Sequence, residues 1–81
     1  MVDFARDASQ IADRFKQQLA QFRQKPSRFG VEQLEKTYRD FVGAAGRAQQ
    51  DLQTAVQAML QTVSVANRTA IQAEGALGVR R

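Results

Sequence analysis

Residues 25–30 read Lys25-Pro26-Ser27-Arg28-Phe29-Gly30, and they contain the only proline of the 81-residue chain. Proline lacks a backbone N–H and glycine weakens a helix interior, so this stretch predicts a break between two regular elements. On both sides of it, apolar residues recur at intervals of three and four, which is the period of an amphipathic helix. The sequence therefore predicts two helices joined by a break at residues 25–30.

The first helix is predicted over residues 3–24. Asp3 is a suitable N-cap, because its carboxylate can accept hydrogen bonds from the free backbone N–H groups of the first turn. The residues with helical spacing in this segment are Phe4, Ala8, Ile11, Phe15, Leu19 and Phe22.

The second helix is predicted to be continuous over residues 31–77. Its apolar residues step by four and three from Leu34 to Met59, and the series then continues to Leu77 after one extra step. At 1.5 Å per residue, the first helix is about 33 Å long and the second about 70 Å. The second helix is therefore expected to extend well beyond the end of the first.

The predicted fold class is all-α: an antiparallel two-helix hairpin with a long, overhanging second helix and coiled-coil-like packing. Residues 1–81 are expected to form a single small helical-hairpin domain. The small patch Gly43-Ala44-Ala45-Gly46 is expected to let the two helices approach closely. The residues expected to hold the hairpin together are Phe4, Ile11, Phe15, Phe22, Leu34 and Phe41.

The overhanging half of the second helix predicts a partner. In the predicted hairpin, the N-terminal end of the first helix lies opposite Leu52. An uncovered apolar face on the second helix beyond that point would be larger than soluble monomers usually expose. Residues 53–77 are therefore expected to pack against a copy of the chain or a larger protein, although a frayed C-terminal end remains an alternative. The residues expected to make this contact are Leu52, Val56, Met59, Leu60 and Val63.

Composition argues against catalysis. The chain has no Cys and no His, so it lacks a thiolate nucleophile and the usual general base at neutral pH. Two helices enclose no pocket that could shift the pKa of a carboxylate. We expect no enzymatic activity, no cofactor and no metal site.

A basic cluster surrounds the break. The chain has 12 Lys and Arg against 8 Asp and Glu, a net charge of +4. Four cations lie near the break without an acid between Asp13 and Glu32, and they offer a possible anion contact: Lys16, Arg23, Lys25 and Arg28. A small basic module that contacts nucleic acid is thus an alternative function. It is the weaker one, because no aromatic residues interleave the cations for base stacking.

No targeting or membrane-spanning segment is expected. The N-terminus has an acid, Asp3, where a signal peptide has basic residues. The longest uncharged run, residues 52–67, is shorter than the ~20 residues that a bilayer requires. We expect a chain that is soluble or part of an assembly, in an unknown compartment.

The break resembles the turns of two families of helical hairpins. Arg28-Phe29-Gly30, followed by Leu34 and Tyr38, resembles the turn of the WXG-motif substrates of type VII secretion, although Arg28 stands where that family has Trp. Lys25-Pro26-Ser27 resembles the hairpin turn of type III secretion needle subunits, whose second proline is missing here. Neither family is assigned.

The function predicted from the sequence is that of a non-enzymatic structural or assembly subunit, in a filament, a virion or a secretion apparatus. Besides the nucleic-acid module, the two resemblances leave a secreted or adaptor helical hairpin of a bacterial secretion system as an alternative.

Overall fold

The computed structural model of the chain describes residues 3–49 and 52–78. Within these residues the protein is helical and contains no β-strand. There are three helices: α1 (Phe4–Gln24), α2 (Arg28–Ala48) and α3 (Gln53–Gly78). The all-α class and the packing of amphipathic helices are confirmed, whereas the number of helices differs from the prediction.

The ends of α1 follow from its local sequence. At its start, the Arg6 N–H donates to Oδ1 of Asp3 at 3.1 Å, so Asp3 is the N-cap as predicted. At its end, the Lys25 N–H bonds to the carbonyl oxygens of Gln21 and Phe22, one residue before Pro26. The proline ring disfavours the helical conformation of the residue before it, so the helix ends there.

The break is shorter than predicted, because α2 begins at Arg28 rather than at residue 31. Ser27 is extended, and its Oγ accepts the N–H of Gly30 at 3.1 Å, which caps the helix three residues early. A Cβ on Gly30 would lie 2.8 Å from Cδ1 of Phe22. Glycine thus permits the end of α1 to contact the first turn of α2.

Helices α1 and α2 pack antiparallel along their whole length. Near one end Phe22 meets Gly30, in the middle the Thr37 hydroxyl donates to Oε1 of Gln18 at 2.7 Å, and near the other end the Arg47 guanidinium lies 5.6 Å from the ring centroid of Phe4. Four of the six residues predicted to hold the hairpin are buried: Phe15, Phe22, Leu34 and Phe41. Ile11 is partly buried against this core, and Phe4 is of intermediate exposure.

The alanines of the small patch, rather than its glycines, provide the close packing. Ala44 and Ala45 are buried in the core. A Cβ on Gly46 would meet nothing within 4 Å, and one on Gly43 would meet only the side chain of Arg47. The expectation that both glycines serve close helix approach is therefore wrong.

The predicted continuous helix over residues 31–77 is wrong, because α2 ends at Ala48 and α3 starts at Gln53. Gln49 adopts the left-handed conformation (φ 55°, ψ 36°), and its N–H bonds to the carbonyl oxygen of Gly46. This conformation costs a non-glycine residue about 1–2 kcal/mol. Burial of a single Val or Met side chain contributes about 1.5–3 kcal/mol, so folding α3 back onto α2 outweighs that cost.

Helix α3 runs antiparallel to α2 and packs on it through one stripe. The buried residues of this core stripe are Met59, Val63, Ala66 and Ala70. At the far end, Glu74 of α3 lies beside Arg28, the first residue of α2: the Arg28 N–H donates to Oε2 at 3.0 Å, and Nε lies 3.3 Å from Oε1. The carboxylate thus satisfies a free donor at the N-terminus of α2 and favours its positive dipole end.

Helix α2 is the central helix of the fold. Both α1 and α3 pack against it, yet among the described residues no Cα of α1 lies within 8 Å of a Cα of α3. The two outer helices run parallel to each other on either side of α2, because each is antiparallel to it.

Candidate binding groove between α1 and α3

A depression with a volume of about 520 Å³ lies between the two outer helices. We call it the α1–α3 groove. From α1 and the break it is lined by Leu19, Phe22, Arg23 and Pro26, and from α3 by Ala58, Gln61, Thr62, Val65, Ala66 and Thr69.

The sequence of α3 keeps this groove open. Beside its core stripe runs a second stripe with the spacing of four, three and four, formed by Ala58, Thr62, Val65 and Thr69. These side chains are short, so they do not bridge the distance to α1. The longer apolar side chains Leu19 and Phe22 come from the opposite wall. The groove therefore has long apolar side chains on its α1 side and short side chains on its α3 side.

The edge of the groove formed by α1 is basic. Among the described residues that line the groove, Arg23 alone is charged. Lys16 lies two helical turns before Arg23, so it shares the same face of α1. Two acids, Asp7 and Asp40, line a separate depression on the opposite flank of α1, together with Arg14.

The predicted partner-contact residues do not form one exposed surface. Met59 and Val63 are buried against α2 within the same chain. Leu52 and Val56 are partly buried against the core, and Leu60 alone remains about half exposed. The uncovered apolar face from which a partner was predicted is thus largely covered intramolecularly, whereas the role of these residues in partner binding stays a prediction.

Two exposed apolar side chains on α3 complement Leu60. Val65 and Ile71 are each about half exposed, and Val65 borders the α1–α3 groove. Val65 was not among the predicted contact residues, because it lies off the main apolar series of the sequence. On α2, Phe29 is exposed in the first turn and was also missed. A helical wheel drawn for α3 as a separate helix would have placed Val65 on one stripe with Ala58, Thr62 and Thr69.

The four predicted anion-contact residues are distributed over different surfaces. Arg23 lines the α1–α3 groove, whereas Lys25 lines a depression on the opposite side of the break, next to Phe29. Arg28 is engaged by Glu74, so its charge is partly neutralised. Lys16 lies on α1, on the face that carries Arg23. The structure brings Lys16 and Arg23 to one surface and separates them from the other two.

Within residues 3–49 and 52–78, no helix combines the length and the apolar character that crossing a bilayer requires. In the same ranges, no three acidic side chains converge as metal ligands would.

Comparison with protein families, with curated proteins and with solved structures gives no match for this chain. Its function is therefore inferred from the sequence and the geometry of the helices.

Proposed function

We propose that this chain is a non-enzymatic assembly subunit that binds another protein chain, a copy or a larger partner, through the exposed side of α3. Such a subunit would serve in a filament, a virion or a secretion apparatus, or as a helical adaptor of a secretion system. The lack of Cys and His and the open shape of the α1–α3 groove support a binding role over a catalytic one.

The observation that carries this proposal is the low charge of α3. Its 26 residues include two charged ones, Arg68 and Glu74, whereas α1 and α2 have six and seven in 21 residues each. Charged residues are depleted in the centres of protein interfaces relative to the rest of the surface. Outside its core stripe α3 has exposed residues, among them Leu60, Val65 and Ile71, so part of this weakly charged surface is available to a partner.

Exposed apolar side chains on α3 add to this argument. Leu60 and Ile71 lie eleven residues apart, which is about three helical turns, so they share one side of the helix. Val65 lies on the side that borders the α1–α3 groove. Three of the five large apolar side chains exposed in the described residues therefore belong to α3. The sequence-predicted contact residue Leu60 is among them.

Site-specific photo-crosslinking in the native cell tests the proposal. A photoreactive amino acid is placed at position 60, 65 or 71, and at two exposed control positions away from α3, Arg14 and Lys36. We expect discrete higher-mass adducts from the α3 positions only, and the mass of each adduct separates a copy of the chain from a larger partner. An absence of adducts from α3, or equal adducts from the control positions, would overturn the proposal.

The nucleic-acid module receives less support from the geometry. It requires the cations around the break to act together, but Arg28 is paired with Glu74 and Lys25 lies apart from Arg23. Charge reversal of Arg23 and Lys25 tests this alternative without breaking the contact of Arg28. A loss of nucleic-acid retention with unchanged crosslinking from α3 would favour it.

A further inference from the structure

The arrangement of the three helices matches three corners of a four-helix bundle. In a compact three-helix bundle each helix packs on both others, whereas in a four-helix bundle two helices lie diagonally across the core. Neighbouring helix axes are about 8–10 Å apart, so diagonal axes are about 11–14 Å apart. Both α1 and α3 pack on α2, and none of their described Cα atoms come within 8 Å of each other. Since both helices nevertheless line one groove, their separation fits that of diagonal helices.

The α1–α3 groove lies at the fourth corner. A fourth helix there would pack on Leu19 of α1 and Val65 of α3, above a floor formed by the buried Phe22 and Ala66. The short side chains of α3 leave space for large apolar residues of the incoming helix, which suits the alternation of large and small residues in packed helices. The shape of the groove thus specifies an amphipathic helix as its occupant.

The charge of the groove specifies the chemistry of that helix. Among the described residues that line it, Arg23 is the only charged one; Lys16 lies on the same face of α1, and the chain has a net charge of +4. A second copy would bring the same basic edge, and the one acid of its α3, Glu74, is engaged with Arg28. A helix of another protein with acidic residues along one flank is complementary to this edge.

We infer that the α1–α3 groove binds one amphipathic helix of a partner protein, whose apolar face packs on Leu19 and Val65 and whose acidic flank lies against Lys16 and Arg23. This inference rests on the proposed function and names the partner chemistry for one side of α3.

Peptide binding to the full chain tests the inference. The probe is a fluorescently labelled helical peptide of 21 residues, the length of α1, with leucine and alanine in its apolar stripe and glutamate on its flanks. The matched control peptide has lysine in place of glutamate. Fluorescence anisotropy is expected to show binding of the acidic peptide and weaker binding, by about tenfold, of the basic one.

Variants of the chain locate the site. We expect Arg23→Glu to weaken binding of the acidic peptide by about threefold to tenfold and to improve binding of the basic one. Arg14→Glu is the matched control, because it makes the same change of charge on the opposite flank of α1 and should leave both affinities unchanged. Val65→Asp should abolish binding of the acidic peptide. Circular dichroism of each variant verifies that its helices are intact.

Three results would overturn the inference: no binding of the acidic peptide, equal binding of both peptides, or equal effects of Arg23→Glu and Arg14→Glu. Sedimentation equilibrium of the pure chain adds a fourth, a dimer that Val65→Asp dissociates, since a second copy would then occupy the groove. In each case, photo-crosslinked adducts from the α3 positions in the native cell would still support the proposed function. Their absence would remove the proposed function independently of the peptide result.

Discussion

Substitution of two valines on α3, Val63 and Val65, can distinguish the three-helix fold from a hairpin with a continuous second helix. Val63 is 7% exposed because it packs against α2, whereas Val65 is 54% exposed at the border of the α1–α3 groove. In an isolated overhanging helix both side chains would be exposed to solvent. The substitutions Val63→Asp and Val65→Asp therefore make the same chemical change in two environments that only the folded-back structure distinguishes.

The expected cost of Val63→Asp follows from its burial. The substitution removes about 1.5–3 kcal/mol of apolar burial. It also places a carboxylate in the core, which costs several kcal/mol unless α3 moves away. A domain of this size has about 5 kcal/mol of stability or slightly more, so the contact between α3 and α2 should not survive. Val65→Asp should change the free energy of unfolding by about 0.5 kcal/mol or less.

Circular dichroism at 222 nm with a urea titration measures both effects in dilute chain. Because α3 has 26 residues and each of the other helices has 21, its release should remove a large part of the helical signal. We expect this loss, and a shallower or absent unfolding transition, for Val63→Asp only. Equal tolerance of aspartate at both positions in a monomeric sample would refute the packing of α3 on α2.

Three further predictions concern the ends of the helices. Gly30→Ala should destabilise the chain by about 1–3 kcal/mol, because the new Cβ would lie 2.8 Å from Cδ1 of Phe22. Gly46→Ala should stabilise it by up to about 1 kcal/mol, since nothing lies within 4 Å of the new Cβ. The urea unfolding midpoints of the two variants should therefore shift in opposite directions. Gln49→Gly should raise the thermal midpoint by relieving the left-handed conformation, a gain of about 1 kcal/mol, and an unchanged or lower midpoint would contradict this role. Glu74→Gln should lower the free energy of unfolding by no more than about 1 kcal/mol, because the ion pair at the start of α2 is exposed. This decrease should become smaller in 1 M salt. An equal decrease at high and low salt would argue against a charge effect.

The candidate site was only partly predictable. Sequence periodicity placed the exposed Leu60 on an apolar helix and Arg23 among the cations near the break. It did not predict the α1–α3 groove, because that groove exists only where α3 returns beside α1. It did not pair Arg28 with Glu74 either, since 46 residues separate them and no local pattern links them.

The sequence by itself determined the first helix, the break after it and the apolar faces of all three helices. Asp3 and Pro26 act within a few residues of their own positions, so their effects are visible in the local sequence. The fold-back at Gln49, in contrast, has no signal in the local sequence. Residues 47–52 contain neither glycine nor proline, and the helical spacing passes through them without interruption. Only the tertiary structure decided that the chain bends there, because the free energy for the bend comes from burying Met59 and Val63 against a helix that lies distant in sequence.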